Sequence, residues 1–328
     1  MAKITAAFLG YRDEWEIERI RAAVPGDVEV VGVPQDPRET IQERGNDLAW
    51  KADAIIPWRF RVGPELAESK QLKLVQALSA GTDYLPKKEL HAKGISVAGN
   101  HGANSVAVAE IAIMLMIGAN RHAQEQIRNL HSGKYHGDFF ETWEQYHEIT
   151  GKRVGIIGLG QIGSKVARRL QGWDCEVVYH DKLEIDPSVE KLANAKRVSL
   201  EDLLSTSDII SLHVPLTENS RGMISDDEFA KMKSTAVLVS TCRGPVTDEA
   251  ALIRALENGT IAAAGLDVTE IEPIEEDNPL LKMRNVFMTP HLAGSSIEAR
   301  HKALDNAAAN ITRLSKGEKL AGVIDPFE

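Results

Sequence analysis

The run Lys152-Arg153-Val154-Gly155-Ile156-Ile157-Gly158-Leu159-Gly160-Gln161-Ile162-Gly163 decides the fold. Its first half is β-branched and apolar and predicts a strand, whereas from Gln161 the pattern turns helical. A second strand is predicted over Glu176-Val177-Val178-Tyr179-His180, closed by Asp181. The three glycines each have a reason in a strand–turn–helix unit. Gly158 permits a tight turn, Gly160 lets an anion approach the backbone, and Gly163 lets the helix pack closely on the sheet. The N–H groups of Gln161 and Ile162 then stand where a helix N-terminus receives a pyrophosphate. Asp181 follows Gly163 by 18 residues, close to the roughly 20 expected of an acid that accepts from ribose hydroxyls and repels a 2′-phosphate. The pattern calls for a dinucleotide, and for NAD rather than NADP.

The chain has 328 residues, enough for two domains, with 43% hydrophobic and 26% charged residues. A net charge of −10 argues against a nucleic-acid or anionic-membrane partner. Cys175 and Cys242 form neither a disulfide framework nor a zinc pattern, so reduced thiols, a cytoplasmic setting and no metal are expected. Residues 1–5 run directly into an apolar strand rather than a secretory leader. The longest apolar stretch, Val106 to Ala119, is interrupted by Glu110 and falls short of the roughly 20 residues of a membrane span. It reads as a buried helix.

Before residue 104, strands are expected at Ile4–Leu9, Val28–Val33, Ala54–Pro57, Leu74–Ala77 and Ile95–Ala98, with a helix at Glu14–Ala23. Short strands alternating with helices indicate a parallel sheet. No phosphate fingerprint occurs there. After an apolar helix at 105–119 and another near 122–132, six strands follow, at 152–157, 176–180, 208–213, 236–241, 261–267 and 285–290. Six strands match two mononucleotide-binding halves. A last helix, about 296–316, is expected to return to the first domain. The expected class is α/β, with two doubly wound parallel-sheet domains. A Rossmann NAD domain, 105–294, is inserted in a flavodoxin-like substrate domain, 1–104 and 295–328.

Three segments at predicted strand ends carry the chemistry. They are Val239-Ser240-Thr241-Cys242-Arg243-Gly244-Pro245, Gly265-Leu266-Asp267-Val268-Thr269-Glu270-Ile271-Glu272-Pro273, and Met288-Thr289-Pro290-His291. An Arg, an acid and a His gathered on one rim suit reduction of a 2-keto acid. A guanidinium offers a carboxylate a planar fork, and histidine is the side chain that exchanges protons near neutral pH.

At these residues the sequence resembles the D-isomer-specific 2-hydroxyacid dehydrogenase family. The resemblance extends to Leu78-Ser79-Ala80-Gly81-Thr82-Asp83 and to Asn104 through Glu110, and so covers nearly the whole chain. It implies an oxidoreductase that interconverts a 2-keto acid and a D-2-hydroxy acid. Arg243 would bind the substrate carboxylate, His291 would donate the proton, and Glu272 would hydrogen-bond the His291 ring. Glu270 is the rival acid in the same loop. The resemblance further implies that Asp267 contacts the nicotinamide carboxamide. Ala80 and Gly81 would hold the substrate carboxylate with backbone N–H groups, and Pro215, Thr217 and Thr241 would line the cofactor. Trp58 and Arg59 would face the variable end of the substrate. Ser240, Cys242 and Thr269 depart from the family pattern without removing an acid, base or cation. A homodimer is expected, with the 105–119 helix and the aromatic segment Phe139, Phe140, Trp143 and Tyr146 in its interface. Two rivals share the fold: a dehydrogenase with phosphite as hydride donor, and an NAD-sensing, corepressor-like interaction protein.

Overall fold

A computed structural model describes residues 4–35, 41–58, 60–135 and 143–325, with only the backbone for 41–44. Arg59, Phe139 and Phe140 lie outside the described residues. The chain divides into two compact units, one of Met1–Asn104 with Ser296–Glu328 and one of Ser105–Ser295.

The first unit has five parallel strands, β1 (Ile4–Tyr11), β2 (Val28–Pro34), β3 (Ala54–Pro57), β4 (Leu74–Gln76) and β5 (Ser96–Ala98), in the order β2-β1-β3-β4-β5. This is the flavodoxin-like order. Successive strand residues serve opposite faces, as the period of two requires. Ala6, Phe8, Ala54 and Ile56 enter one apolar core with Leu304, Ala307 and Ile311 of the helix Ile297–Lys316. Ala7, Leu9, Ile55 and Val75 enter the core on the opposite face.

The second unit has seven parallel strands: β6 (Arg153–Ile157), β7 (Glu176–His180), β8 (Lys196–Arg197), β9 (Ile209–Leu212), β10 (Val237–Ser240), β11 (Ala263–Leu266) and β12 (Val286–Met288). Their order is β12-β11-β10-β9-β6-β7-β8, the nucleotide-binding arrangement with one added strand. The order reverses between β6 and β9, and ligands of open α/β sheets bind outside such a reversal. Val154, Ile156, Val237 and Val239 face one core, and Ile210, Leu212, Leu238 and Ala264 the other. The apolar helix Ser105–Asn120 covers its own unit's sheet. A Cβ on Gly265 of β11 would stand 2.8 Å from the Leu115 carbonyl oxygen, so only glycine admits the helix at that depth. Val106, Met114 and Ile117 of this helix are exposed. Among the described residues no single helix is long and apolar enough to cross a membrane.

Two local expectations need correction. β8 makes a seventh strand, because two exposed basic residues carry no apolar alternation to announce it. The helix after the fingerprint begins at Gly163 rather than Gln161, since Ile162 occupies the N-cap and residues 158–162 are spent in the turn.

Each sheet is fastened at its amino-terminal edge by an aspartate. Asp53 accepts from Thr5 N at 3.0 Å, Lys73 Nζ at 2.8 Å and Gln71 Nε2 at 3.2 Å. Asp208 accepts from Arg153 N at 2.8 Å and Lys233 Nζ at 3.0 Å. Burial alone would push both carboxyls up. The hydrogen bonds and the lysine charges outweigh it and hold both below the ordinary aspartate value. Their stabilisation is therefore complete above the unfolded-state value of about 3.9 and is lost as pH falls through the lower folded-state value. Asp53→Asn and Asp208→Asn are each expected to lower unfolding stability by roughly 1.5–3 kcal/mol near neutral pH. Denaturant melts of both variants between neutral and acid pH should show a shallower acid-side loss than the parent.

Candidate active site

The glycine turn leaves the sheet at the strand-order reversal. Gly158 adopts φ +94°, a left-handed backbone open to glycine, and a Cβ there would lie 2.8 Å from the His213 carbonyl oxygen. A Cβ on Gly163 would lie 2.1 Å from the Gly158 carbonyl oxygen. Both glycines are demanded by the chain's own packing. Gly160 differs, because a Cβ there would meet nothing within 4 Å. Among the described residues the N–H groups of Gly160, Gln161 and Ile162 find no acceptor. Donors aimed outward at the start of a helix suit a phosphate. At the end of β7, the Asp181 carboxylate accepts from Leu159 N and Leu183 N, each at 2.9 Å. That holds it beside the turn, with lone pairs left for ribose hydroxyls. These residues fit a dinucleotide.

The turn after β9, on the other side of the reversal, is tied by side chains. Ser220 Oγ donates to the Pro215 carbonyl at 2.6 Å and accepts from Thr217 N at 2.8 Å. His213 bridges β9 and β10: Nε2 lies 2.9 Å from Ser211 Oγ and Nδ1 3.4 Å from Thr241 Oγ1. Burial pushes this imidazole down to about 3, so it acts as a neutral strut. Sequence reasoning placed His213 only as part of the turn. A histidine directly after a strand and two residues before a proline was the available signal.

Adjacent strands β10, β11 and β12 bring Arg243, Glu272 and His291 to one rim. Arg243 follows β10, and its Nη1 donates to the Cys242 carbonyl at 2.8 Å. A Cβ on Gly244 would lie 1.8 Å from the Thr269 carbonyl oxygen, so the Arg243 turn packs directly on the Glu272 loop. Glu272 Oε1 accepts from Thr269 N at 3.2 Å, and Oε2 lies 2.5 Å from His291 Nδ1. The contact to the ring is made by Glu272, while the backbone N–H of Glu270 donates to Glu249 at 2.7 Å. A carboxylate can only accept, so the pair holds a proton on Nδ1 and leaves Nε2 as the nitrogen that exchanges one. His291 itself is left-handed, at φ +52°. Asp267, assigned from the sequence to the cofactor, has its carboxylate engaged by Thr289, Leu292 and Ala293.

In the first unit, Trp58 and the Ser79–Thr82 loop follow the neighbouring strands β3 and β4. Ser79 Oγ donates to the Gly81 carbonyl at 2.7 Å. Among the described residues the Ala80 and Gly81 N–H groups find no acceptor. The Arg300 guanidinium lies 4.2 Å from the centroid of the Trp58 ring. Arg300 is in turn held by buried Glu16.

A sequence profile described as D-isomer specific 2-hydroxyacid dehydrogenase, NAD binding domain, matches residues 113–293. A glyoxylate reductase of Korarchaeum cryptofilum is 39% identical over 248 residues, which are 76% of this chain and 74% of that protein. The crystal structure of a glyoxylate reductase from Paecilomyes thermophila aligns over 100% of both chains with TM-score 0.85 and 31% identity. Rhodotorula graminis D-mandelate dehydrogenase in its holo form aligns over 99% of this chain and 98% of its own, with TM-score 0.87 and 28% identity.

The glycines separate folding from binding. Gly160→Ala is expected to melt within about 2 °C of the parent, given the open space around its Cβ, yet to bind NADH at least about tenfold more weakly. Gly163→Ala should destabilise by roughly 1–3 kcal/mol, because its Cβ meets backbone. Thermal melts and NADH fluorescence titrations of both variants check the distinction.

Proposed function

The chain belongs to the D-isomer specific 2-hydroxyacid dehydrogenase family of NAD-dependent enzymes, and we propose that it reduces a short 2-keto acid to the D-2-hydroxy acid through Arg243, Glu272 and His291. The observation that carries the proposal is the 2.5 Å contact between His291 Nδ1 and Glu272 Oε2, on the rim that also bears Arg243. The names of the two glyoxylate reductases among the relatives favour a substrate of the glyoxylate type.

When bound, NADH supplies a hydride to the keto carbon. Arg243 grips the substrate carboxylate with its planar fork and polarises the adjacent carbonyl. Glu272 keeps the imidazole in the tautomer and orientation that present Nε2. His291, protonated on both nitrogens, delivers the Nε2 proton to the carbonyl oxygen, and the hydroxy acid is complete. In the reverse direction neutral Nε2 accepts that proton. We also propose Ala80 and Gly81 as carboxylate-binding backbone donors, Asp181 as the ribose-binding acid, and Pro215, Thr217 and Thr241 as cofactor contacts. Trp58, backed by Arg300, serves as a rigid aromatic wall limiting the substrate side chain. A homodimer using the exposed Val106, Met114 and Ile117 belongs to the same reading, and sedimentation velocity tests it.

A panel of glyoxylate, hydroxypyruvate, pyruvate and phenylpyruvate with NADH and NADPH, and phosphite with NAD, followed by cofactor absorbance, tests the reaction. Turnover of phosphite alone would overturn the keto-acid reading. His291→Gln is expected to lower kcat by about 10²–10⁴-fold while NADH affinity stays within about twofold. Normal turnover by that variant would remove His291 as proton donor. Trp58→Ala should shift kcat/KM toward phenylpyruvate relative to glyoxylate by roughly 10-fold, through enlargement of the pocket.

A further inference from the structure

The catalytic rim holds a second carboxylate that takes no part in the acid–base pair. Asp267 directly follows β11 and is 2% exposed. Its Oδ1 accepts from Thr289 Oγ1 at 2.6 Å and from Leu292 N at 3.0 Å, and its Oδ2 accepts from Ala293 N at 2.9 Å. Its backbone carbonyl accepts from His291 N at 2.8 Å. One residue therefore holds the chain two positions before His291, at it, and at the two positions after it. His291 lies in the middle of this clamp with φ +52°, a backbone uncommon for residues that carry a side chain.

We infer that Asp267, acting with Thr289, is a positioning residue that imposes the left-handed turn aiming His291 at Glu272. The inference rests on His291 being the proton donor. Its chemistry is that of a buried anion surrounded by donors. A carboxylate accepting three hydrogen bonds is directional and strong, and both of its oxygens are already engaged within the chain. Releasing the turn lets residue 291 relax to a right-handed or extended backbone. That relaxation swings its Cβ and pulls Nδ1 away from Glu272 Oε2. The imidazole would then keep its chemistry and lose its aim. A small misplacement of a reacting group is enough to slow a reaction greatly.

Two substitutions test this. Thr289→Val removes one donor at nearly constant shape. Asp267→Asn replaces an acceptor oxygen with an amide that cannot accept from Ala293. At saturating NADH, kcat is expected to fall about tenfold in Thr289→Val and about 100-fold in Asp267→Asn, with the dissociation constant for NADH nearly unchanged in Thr289→Val. Neither substitution should reduce kcat further in a His291→Gln background, because both act through that ring. The downfield proton resonance of a strongly hydrogen-bonded His291 Nδ1–H should be present in the parent and lost in both single variants. Weakened NADH binding with that resonance intact would assign Asp267 to the cofactor and overturn the inference. So would additive losses in the His291→Gln background. A His291→Gln enzyme that turns over normally would instead fail the proton-donor reading, and the resonance would still report whether the clamp holds the turn.

Discussion

A contact between two stretches of backbone governs the second unit. The carbonyl of Gly158 lies so near the α-carbon of Gly163 that a Cβ at 163 would stand 2.1 Å from its oxygen. This contact fixes how the chain leaves β6, where the following helix begins, and which amides remain without a partner. From it follow the outward-facing donors of residues 160–162. The placement of Asp181, whose carboxylate is tied to Leu159 N, follows as well. The same turn abuts the carbonyl of His213 at the end of β9, so the reversal in strand order is closed by backbone packing as well as by hydrogen bonds.

The proposed reacting groups use a different device. Each comes from the carboxyl end of one of three neighbouring strands, so the parallel register converts distant sequence positions into neighbours on one edge. The loops then lock to each other by close packing, as at Gly244 against Thr269, and by carboxylates that take several donors. Polar networks of this kind hold geometry well when every member is satisfied. Here Glu272 and Asp267 divide the labour: one faces the imidazole ring and the other grips the backbone that carries it.

Much of this was legible in the sequence. Apolar alternation and the glycine spacing announced both parallel sheets, since period and turn chemistry are local properties. Arg243, Glu272 and His291 stood out as charged or titratable residues just past predicted strands, and the geometry brings Glu272 rather than Glu270 to the ring. What was not legible depended on partners far along the chain. The carboxylate of Asp267 is taken up by residues 289–293, and the indole of Trp58 is backed by Arg300. The strut formed by His213 joins hydroxyls on two strands. The strand β8 escaped for another reason: it is two residues long and exposed, and nothing in its side chains marks it.

The terminal helix carries a consequence for how the chain reaches its native state. Leu304, Ala307 and Ile311 complete a core begun by Ala6 and Phe8, and Asn310 donates to Gln76, 234 residues earlier. The first unit therefore cannot close its interior during synthesis until the helix Ile297–Lys316 has been made, whereas every strand of the second is available sooner. Contacts of such long separation form slowly. Until then β1 and β3 stay uncovered on one apolar face, and uncovered strands of this kind favour aggregation.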